Sequence, residues 1–175
     1  MIGEIVKTLR IKDPDRTICG VATVYGQCRR DGRAGFSAQQ FQDFLDLQIA
    51  IPLRVDHGPL VNSHGVIMNV GVARHFTEIK YPTDGLLCLA EVDHAEGYGD
   101  SLLADIGAIT AQTWLPKCWG LSIAAYVTED LVLPYEVSVT RSPAYAEALI
   151  LGVGEDAIES WTLLTEVAQR APDRL

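Results

Sequence analysis

Apolar and polar residues alternate over several short segments of the chain, a pattern that is typical of half-buried β-strands. Turn-forming residues separate these segments, for example Asp13-Pro14-Asp15 and the sequence P-T-D-G at 82–85. The alternation predicts strands at 4–11, 18–25, 53–55, 65–73, 86–92, 120–127, 135–140 and 152–154. We expect most neighbouring strands to pair antiparallel.

Apolar residues at helical spacing predict three helices between and after these strands. The first begins after the N-cap Ser37 and ends near residues 51–52. The second covers 100–113. The third covers 155–171, with acidic residues at its start and Arg170 near its end, as the helix dipole favours. Strands outnumber helices, and no linker or repeat divides the chain, so the pattern predicts a β-rich α+β fold in one domain, 1–175.

Charge and cysteine content exclude several classes of function. The 175 residues carry a net charge of −9 and no basic run, which argues against nucleic-acid and anionic-lipid partners. No apolar stretch is long enough to span a bilayer, and the first residues do not resemble a signal peptide. The four cysteines show no paired spacing, which argues against a zinc site and a disulfide scaffold. We therefore expect a soluble intracellular protein without a metal or cofactor.

Acid–base chemistry near neutral pH would draw on the four histidines of the chain, His57, His64, His75 and His94. His57 ends a predicted strand and precedes Gly58-Pro59, which places it at the edge of an element. Each histidine by itself is more often a surface or packing residue than a catalytic one. Their spacing does not match a metal site.

Three further residues could carry chemistry, and each has a plainer interpretation. Ser122 lies in an apolar strand, where a serine is usually a small core residue, but Gly120 beside it would let a substrate backbone approach. Glu136 is either a solvated carboxylate or a buried acceptor that orients an imidazole. Arg141 either forms a surface ion pair or donates to a developing oxyanion.

Four segments, taken together and in order, resemble the prohead (capsid-maturation) serine proteases of tailed bacteriophages. The early strand G-V-A-T-V-Y-G lies at 20–26, and the histidine segment I-P-L-R-V-D-H lies at 51–57. The G-L-S sequence at 120–122 is followed by E-V-S-V-T-R-S-P-A at 136–144. The resemblance covers about residues 18–151. This family is related in fold to herpesvirus assemblin, so it implies a small, mostly antiparallel barrel flanked by about three helices.

The resemblance implies a serine endopeptidase in which Ser122 is the nucleophile, His57 the general base and then acid, and Glu136 the third member. In the herpesvirus relatives this third position is a second histidine. By the same resemblance, the oxyanion donors are backbone groups near Thr140 and Arg141, or the Arg141 side chain. The substrates would be phage scaffold and major capsid protein, and the enzyme itself. It would act as a homodimer inside the immature phage head, in the host cytoplasm.

Alternatives to this activity remain open at the level of sequence. The chain could be a catalytically inactive structural module of capsid assembly with the same fold. Cys118 could serve as a thiol nucleophile, because its even offset from Ser122 puts both side chains on one face of a strand. A catalytic dyad of Ser122 with Lys117 is less favoured, because the odd offset between the two residues would put Lys117 on the opposite face of a continuous strand.

The sequence also offers candidates for a dimer surface and for a loop over the substrate. The apolar residues proposed for the dimer are Ile158, Trp161, Leu164 and Val167, or Leu102 and Ile106. They could equally cover the barrel. The cationic loop at 26–35 could close over bound substrate.

Overall fold

One curled sheet of seven strands forms the body of the protein. The computed structural model describes residues 2–58, 60–61, 65, 67–110 and 119–170. The strands are β1 Thr17–Val24, β2 Ile51–Val55, β3 Leu60–Val61, β4 Ile67–Met68, β5 Gly71–Ile79, β6 Gly85–Val92, β7 Gly120–Val127, β8 Val132–Thr140 and β9 Ile150–Val153. The helices are α1 Ile2–Thr8, α2 Gln42–Leu47, α3 Tyr98–Thr110 and α4 Glu155–Arg170, with short 3₁₀ helices at Pro14–Arg16, Ala38–Phe41 and Ala95–Gly97.

The sheet has the strand order β7-β8-β2-β5-β6-β1-β9, and β3 pairs separately with β4. The expectation of a mostly antiparallel barrel is confirmed only in part, because the sheet is mixed: five of its six neighbouring strand pairs are antiparallel and one is parallel. Strand β2 lies parallel to β8, with Leu53 opposite Val137 and Val55 opposite Val139. A parallel pair arises here because β8 returns from far along the chain and enters the sheet between β7 and β2.

The two edges of the sheet meet at one end and make it a half-barrel. The amide of Leu121 donates to the carbonyl of Ala148 at 2.9 Å, and the amide of Ile150 donates to the carbonyl of Trp119 at 3.0 Å. Beyond this junction, none of the described strands pairs with the outer edge of β7. The start of the Ser122 strand is therefore fixed on both sides, and its later residues are accessible along one side.

Apolar residues fill both faces of the sheet. One cluster, which includes Phe41, Phe44, Leu53, Leu121, Val137 and Ile106, lies inside the curl. The other packs α4 and α1 against β1 and β6. Of the six candidates for a dimer surface, Val167 is 40% exposed. The other five are buried in the chain's own core, namely Ile158, Trp161, Leu164, Leu102 and Ile106. Their apolar pattern is thus explained by packing within the chain.

The strand predicted at 4–11 is wrong. Residues Ile2–Thr8 form the helix α1, and Ile2, Ile5, Val6 and Leu9 pack at helical spacing against the second cluster. These positions also alternate in part, and a segment of this length fits either pattern until its packing partner is known.

The other elements agree with their predictions except at their bounds. The strand predicted at 65–73 is interrupted at 69–70 and continues to Ile79. The helix after Ser37 consists of a 3₁₀ turn and α2, and it ends at Gln48, whose φ of 48° is left-handed. The helix predicted at 100–113 is α3 as far as Thr110, and its last residues lie outside the described part of the chain. No helix in that part is long and apolar enough to cross a membrane.

Candidate active site

A tight turn at the end of β2 carries His57. Asp56 and His57 have φ values of 50° and 55°, and the amide of Gly58 donates to the carbonyl of Val55 at 3.0 Å. Two successive residues with positive φ make this a type I′ turn, a conformation in which Asp and His are more common than most residues. The amide of Asp56 also donates to the carbonyl of Val139 at 3.0 Å. The turn therefore folds His57 back over β8.

The His57 ring contacts the carboxylate of Glu136, which lies on β8. The distance between Nδ1 of His57 and Oε1 of Glu136 is 2.9 Å. The Glu136 residue is 3% exposed, and the His57 side chain is 41% exposed. A carboxylate that accepts a hydrogen bond from Nδ1 leaves Nε2 free to accept a proton from another group. The arrangement suits a general base.

Two further side chains bind the same carboxylate. The hydroxyl of Ser138 donates to Oε1 of Glu136 at 2.8 Å, and Nη1 of Arg54 donates to Oε2 at 2.9 Å. Ser138 also accepts a hydrogen bond from the backbone amide of His57 at 3.0 Å. These partners compensate the burial of a charged carboxylate, which would otherwise be costly.

Ser122 lies on the same face of the sheet as this network. It is the cross-strand partner of Ser138, and the next residue on that face, Ala124, is the partner of Glu136. Directly opposed residues have Cβ atoms about 5 Å apart. Ser122 is 5% exposed, and the hydrogen bonds of the described residues include none between its hydroxyl and the His57 ring. The structure therefore brings His57 and Glu136 into contact and places Ser122 on the adjoining strand.

The residues expected to donate to an oxyanion lie at the end of β8. Thr140 is the cross-strand partner of Gly120, and its hydroxyl accepts a hydrogen bond from the amide of Ser142 at 3.1 Å. The guanidinium of Arg141 lies over the ring of Trp119, with Cζ 4.7 Å from its centroid. This is a cation–π contact, which holds the guanidinium beside Trp119, next to the start of β7.

Gly120 has a different role from the one that the sequence suggested. A Cβ at this position would lie 2.4 Å from the carbonyl oxygen of Ala148 and 2.7 Å from Cγ of Pro143. The close approach that needs a glycine is therefore made by the chain's own backbone, where the edges of the sheet meet. The interpretation as space for a substrate backbone is wrong.

A cleft of about 270 Å³ adjoins the His57 ring. It follows the outer edge of β7 and is lined by Arg29, Phe36, His57, Ile123, Ala124, Ala125, Val127 and Tyr135. Tyr135 is the extra residue of a bulge in β8, which turns its side chain out of the ladder. The loop at 26–35 forms one wall and is tied to the fold, since the amide of Arg30 donates to the carbonyl of Ala144 at 2.8 Å. The cleft could hold an extended peptide beside His57.

The other candidate groups lie away from this network or outside the described residues. Nε2 of His75 lies 2.9 Å from the carbonyl oxygen of Leu9, and burial lowers the pKa of this histidine. His94 is exposed and pairs with Asp100. His64, Lys117 and Cys118 lie outside the described part of the chain, within which no cluster of three His, Cys, Asp or Glu side chains could hold a metal.

Sequence reasoning did not assign a role to Arg54 or Ser138. Both lie inside the segments that carried the family resemblance, at 51–57 and 136–144. Alternation puts Ser138 on the same face of its strand as Glu136, which is a usable signal. Arg54 gave none, because its contact with Glu136 depends on the parallel pairing of β2 with β8.

Solved structures of similar fold include those of a herpesvirus protease. The protease of Kaposi's sarcoma-associated herpesvirus in complex with a dimer disruptor has a TM-score of 0.54, with 16% identity over 91% of each chain. The same protease in complex with an allosteric inhibitor gives a TM-score of 0.53, with 17% identity over 91% of each chain. The chain has the fold of a herpesvirus protease. This confirms the expected fold relationship to herpesvirus assemblin. No protein-family model matches the chain, and no curated protein sequence is significantly similar to it.

Proposed function

We propose that this protein is a serine endopeptidase with Ser122 as nucleophile, His57 as general base and Glu136 as the third member. The observation that carries the proposal is the 2.9 Å contact between His57 Nδ1 and the buried Glu136 carboxylate. This pair lies on the sheet face that also bears Ser122, in a fold shared with a viral protease.

The reaction follows from the two nitrogens of the imidazole. Nε2 of His57 takes the proton of the Ser122 hydroxyl as its oxygen attacks the peptide carbonyl, and Glu136 offsets the charge of the imidazolium. Nε2 then gives this proton to the amine of the leaving peptide, and the acyl group stays on Ser122. A water molecule, deprotonated by His57, hydrolyses the ester and restores the serine. Backbone amides near Thr140 and Arg141, or the Arg141 side chain through water, would stabilise the tetrahedral oxyanion.

The biological setting that we propose is the maturation of a tailed-phage prohead. It is supported by the four ordered segments of sequence and by the fold. The substrates would be scaffold and major capsid protein, and the enzyme itself. We propose that the enzyme works as a homodimer inside the immature head in the host cytoplasm, with no cofactor, nucleic acid or membrane as partner.

A second candidate is a catalytically inactive structural module of capsid assembly. One observation favours it, because the hydrogen bonds of the described residues include none between the hydroxyl of Ser122 and the ring of His57. Hydrogen bonds between nucleophile and base are often longer in enzymes without substrate and tighten when substrate binds. We therefore favour the peptidase.

Cleavage of a diverse peptide mixture, read by mass spectrometry, separates the two candidates. We expect the wild-type protein to release new peptide termini, Ser122→Ala to release none, and Ser101→Ala to match wild type. Ser101 is a matched control because it is an exposed serine on α3, apart from the network. A wild-type protein that cleaves nothing, even at concentrations at which a weak dimer forms, would support the structural module. Activity that survives in Ser122→Ala would instead direct attention to Cys118.

A further inference from the structure

We propose that Arg54 and Ser138 are positioning residues that hold the Glu136 carboxylate against the His57 ring. The inference rests on the proposed function, since it concerns the same His57–Glu136 pair. It goes beyond that function because neither residue is a member of the triad. Both are argued to act through Glu136.

Hydrogen-bond donors occupy both oxygens of the carboxylate. Oε1 of Glu136 lies 2.9 Å from the His57 ring and 2.8 Å from the Ser138 hydroxyl, and Oε2 lies 2.9 Å from Arg54. The terminal torsion of a glutamate is broad and does not fix the orientation of its oxygens. Here rotation about this torsion would break bonds on both sides. The donors therefore supply the orientation that the side chain lacks.

Ser138 connects the carboxylate to the backbone of the histidine. Its hydroxyl donates to Glu136 and accepts from the amide of His57 at 3.0 Å. That amide belongs to a residue with a φ of 55°, in a region that non-glycine residues occupy infrequently. Because Ser138 is fully buried, water does not replace either bond readily. Ser138 thus fixes the turn and the carboxylate relative to each other.

Arg54 places a positive charge on the far side of the same carboxylate. It is the register partner of Ser138 in the parallel pair, and its Nε donates to Oδ1 of Asn69 at 3.2 Å, which orients the guanidinium. Arg54 therefore binds the carboxylate oxygen that His57 and Ser138 leave open, and keeps the other oxygen turned toward the ring.

Other charged and titratable groups also face His57 and stay unchanged in the test. Arg29 and Tyr135 line the same cleft, and Asp56 is the preceding residue in the turn. An effect of Arg54 must therefore be measured as a difference between variants.

The test is the NMR signal of the His57 Nδ1 proton, assigned with His57→Gln, in wild type and in variants of Arg54. A proton held in the hydrogen bond to Glu136 gives a downfield signal. We expect this signal to be weakened or displaced in Arg54→Met and Arg54→Gln, and to stay close to its wild-type position in Arg54→Lys. Arg74→Met is the matched control. It removes a similar pair, Arg74 with Glu91 at 3.0 Å, elsewhere in the sheet, and should leave the His57 signal unchanged. A folded Arg54→Met or Arg54→Gln protein with an unchanged His57 signal overturns the role of Arg54.

Ser138 is tested through the rate at which a fluorophosphonate probe labels Ser122. Loss of a hydrogen bond to a charged group predicts a maximal labelling rate about tenfold lower or more in Ser138→Ala, with little change in half-saturation. Ser101→Ala, at an exposed serine on α3 apart from the network, should label at the wild-type rate. An unchanged maximal rate in Ser138→Ala overturns its role. If wild type itself is not labelled while the Arg54 variants change the His57 Nδ1 proton signal as expected, the proposed function fails and the positioning role of Arg54 stands. If Ser122 is labelled while that signal does not respond to the Arg54 variants, the proposed function stands and the role of Arg54 fails.

Discussion

Replacement of Glu136 by glutamine removes the charge that faces the His57 ring with little change in shape. At 2.9 Å and an effective dielectric constant of about 20, the attraction between this carboxylate and an imidazolium is about 6 kcal/mol. The His57 side chain is 41% exposed, so solvent screening reduces this to about 3 kcal/mol. Because about 1.4 kcal/mol corresponds to a tenfold change in rate, we expect kcat to fall about a hundredfold.

The assay uses a peptide that the wild-type protein cleaves in the diverse peptide mixture described above. Its rate of cleavage is measured at saturating substrate. Glu91→Gln is the matched control, since Glu91 also pairs with an arginine in the sheet and lies outside the network. It should keep the wild-type kcat. Thermal unfolding of both variants separates loss of catalysis from loss of structure. A folded Glu136→Gln enzyme with kcat within about threefold of wild type would mean that the Glu136 charge does not stabilise the imidazolium during catalysis, because so small a change corresponds to less than about 1 kcal/mol.

Three further predictions concern the fold. Trp161→Ala should lower the free energy of unfolding by about 3–5 kcal/mol in chemical denaturation, because this side chain is buried between α4 and the sheet; a loss below 1 kcal/mol would contradict that packing. Gly120→Ala should destabilise the protein by about 1–3 kcal/mol, since its Cβ would lie 2.4 Å from the Ala148 carbonyl oxygen, whereas Gly3→Ala, with open space around it, should not. Burial lowers the pKa of His75, so the unfolded chain binds a proton there before the folded one does, and stability falls as the pH drops below about 6.5. His75→Gln should reduce the fall in Tm between about pH 7.5 and about pH 5.5, and an unchanged fall would exclude this contribution.

The local sequence pattern was sufficient to locate most of the helices and strands, but it did not predict how the strands pair in the sheet. Alternation located β1, β6 and β7 to within about a residue, and the acidic start of α4 marked its first turn. The parallel pairing of β2 with β8 depends on which distant strand enters the sheet between its neighbours, and no local signal encodes that choice. The α1 segment is only seven residues long, so the spacing of its apolar residues does not distinguish a helix from a strand.

In the candidate site, too, the sequence predicted residues that are recognisable by type and missed contacts that depend on long-range packing. Residue type and family resemblance singled out His57, Glu136 and Ser122, and the structure brings the first two into contact. Gly120 was assigned to the substrate because a sequence does not reveal that the chain's own sheet edges meet there. Arg54 was missed because its partner is 82 residues away and is reached only through the parallel pair.

The central claim is that Ser122 is a nucleophile activated by His57. Its most direct test is labelling of the purified protein with a fluorophosphonate probe, followed by intact mass and peptide mapping, beside Ser122→Ala and His57→Ala. We expect a single adduct on the peptide that contains Ser122, absent from both variants and retained in Ser101→Ala. An adduct on another residue, or equal labelling of His57→Ala, would contradict it.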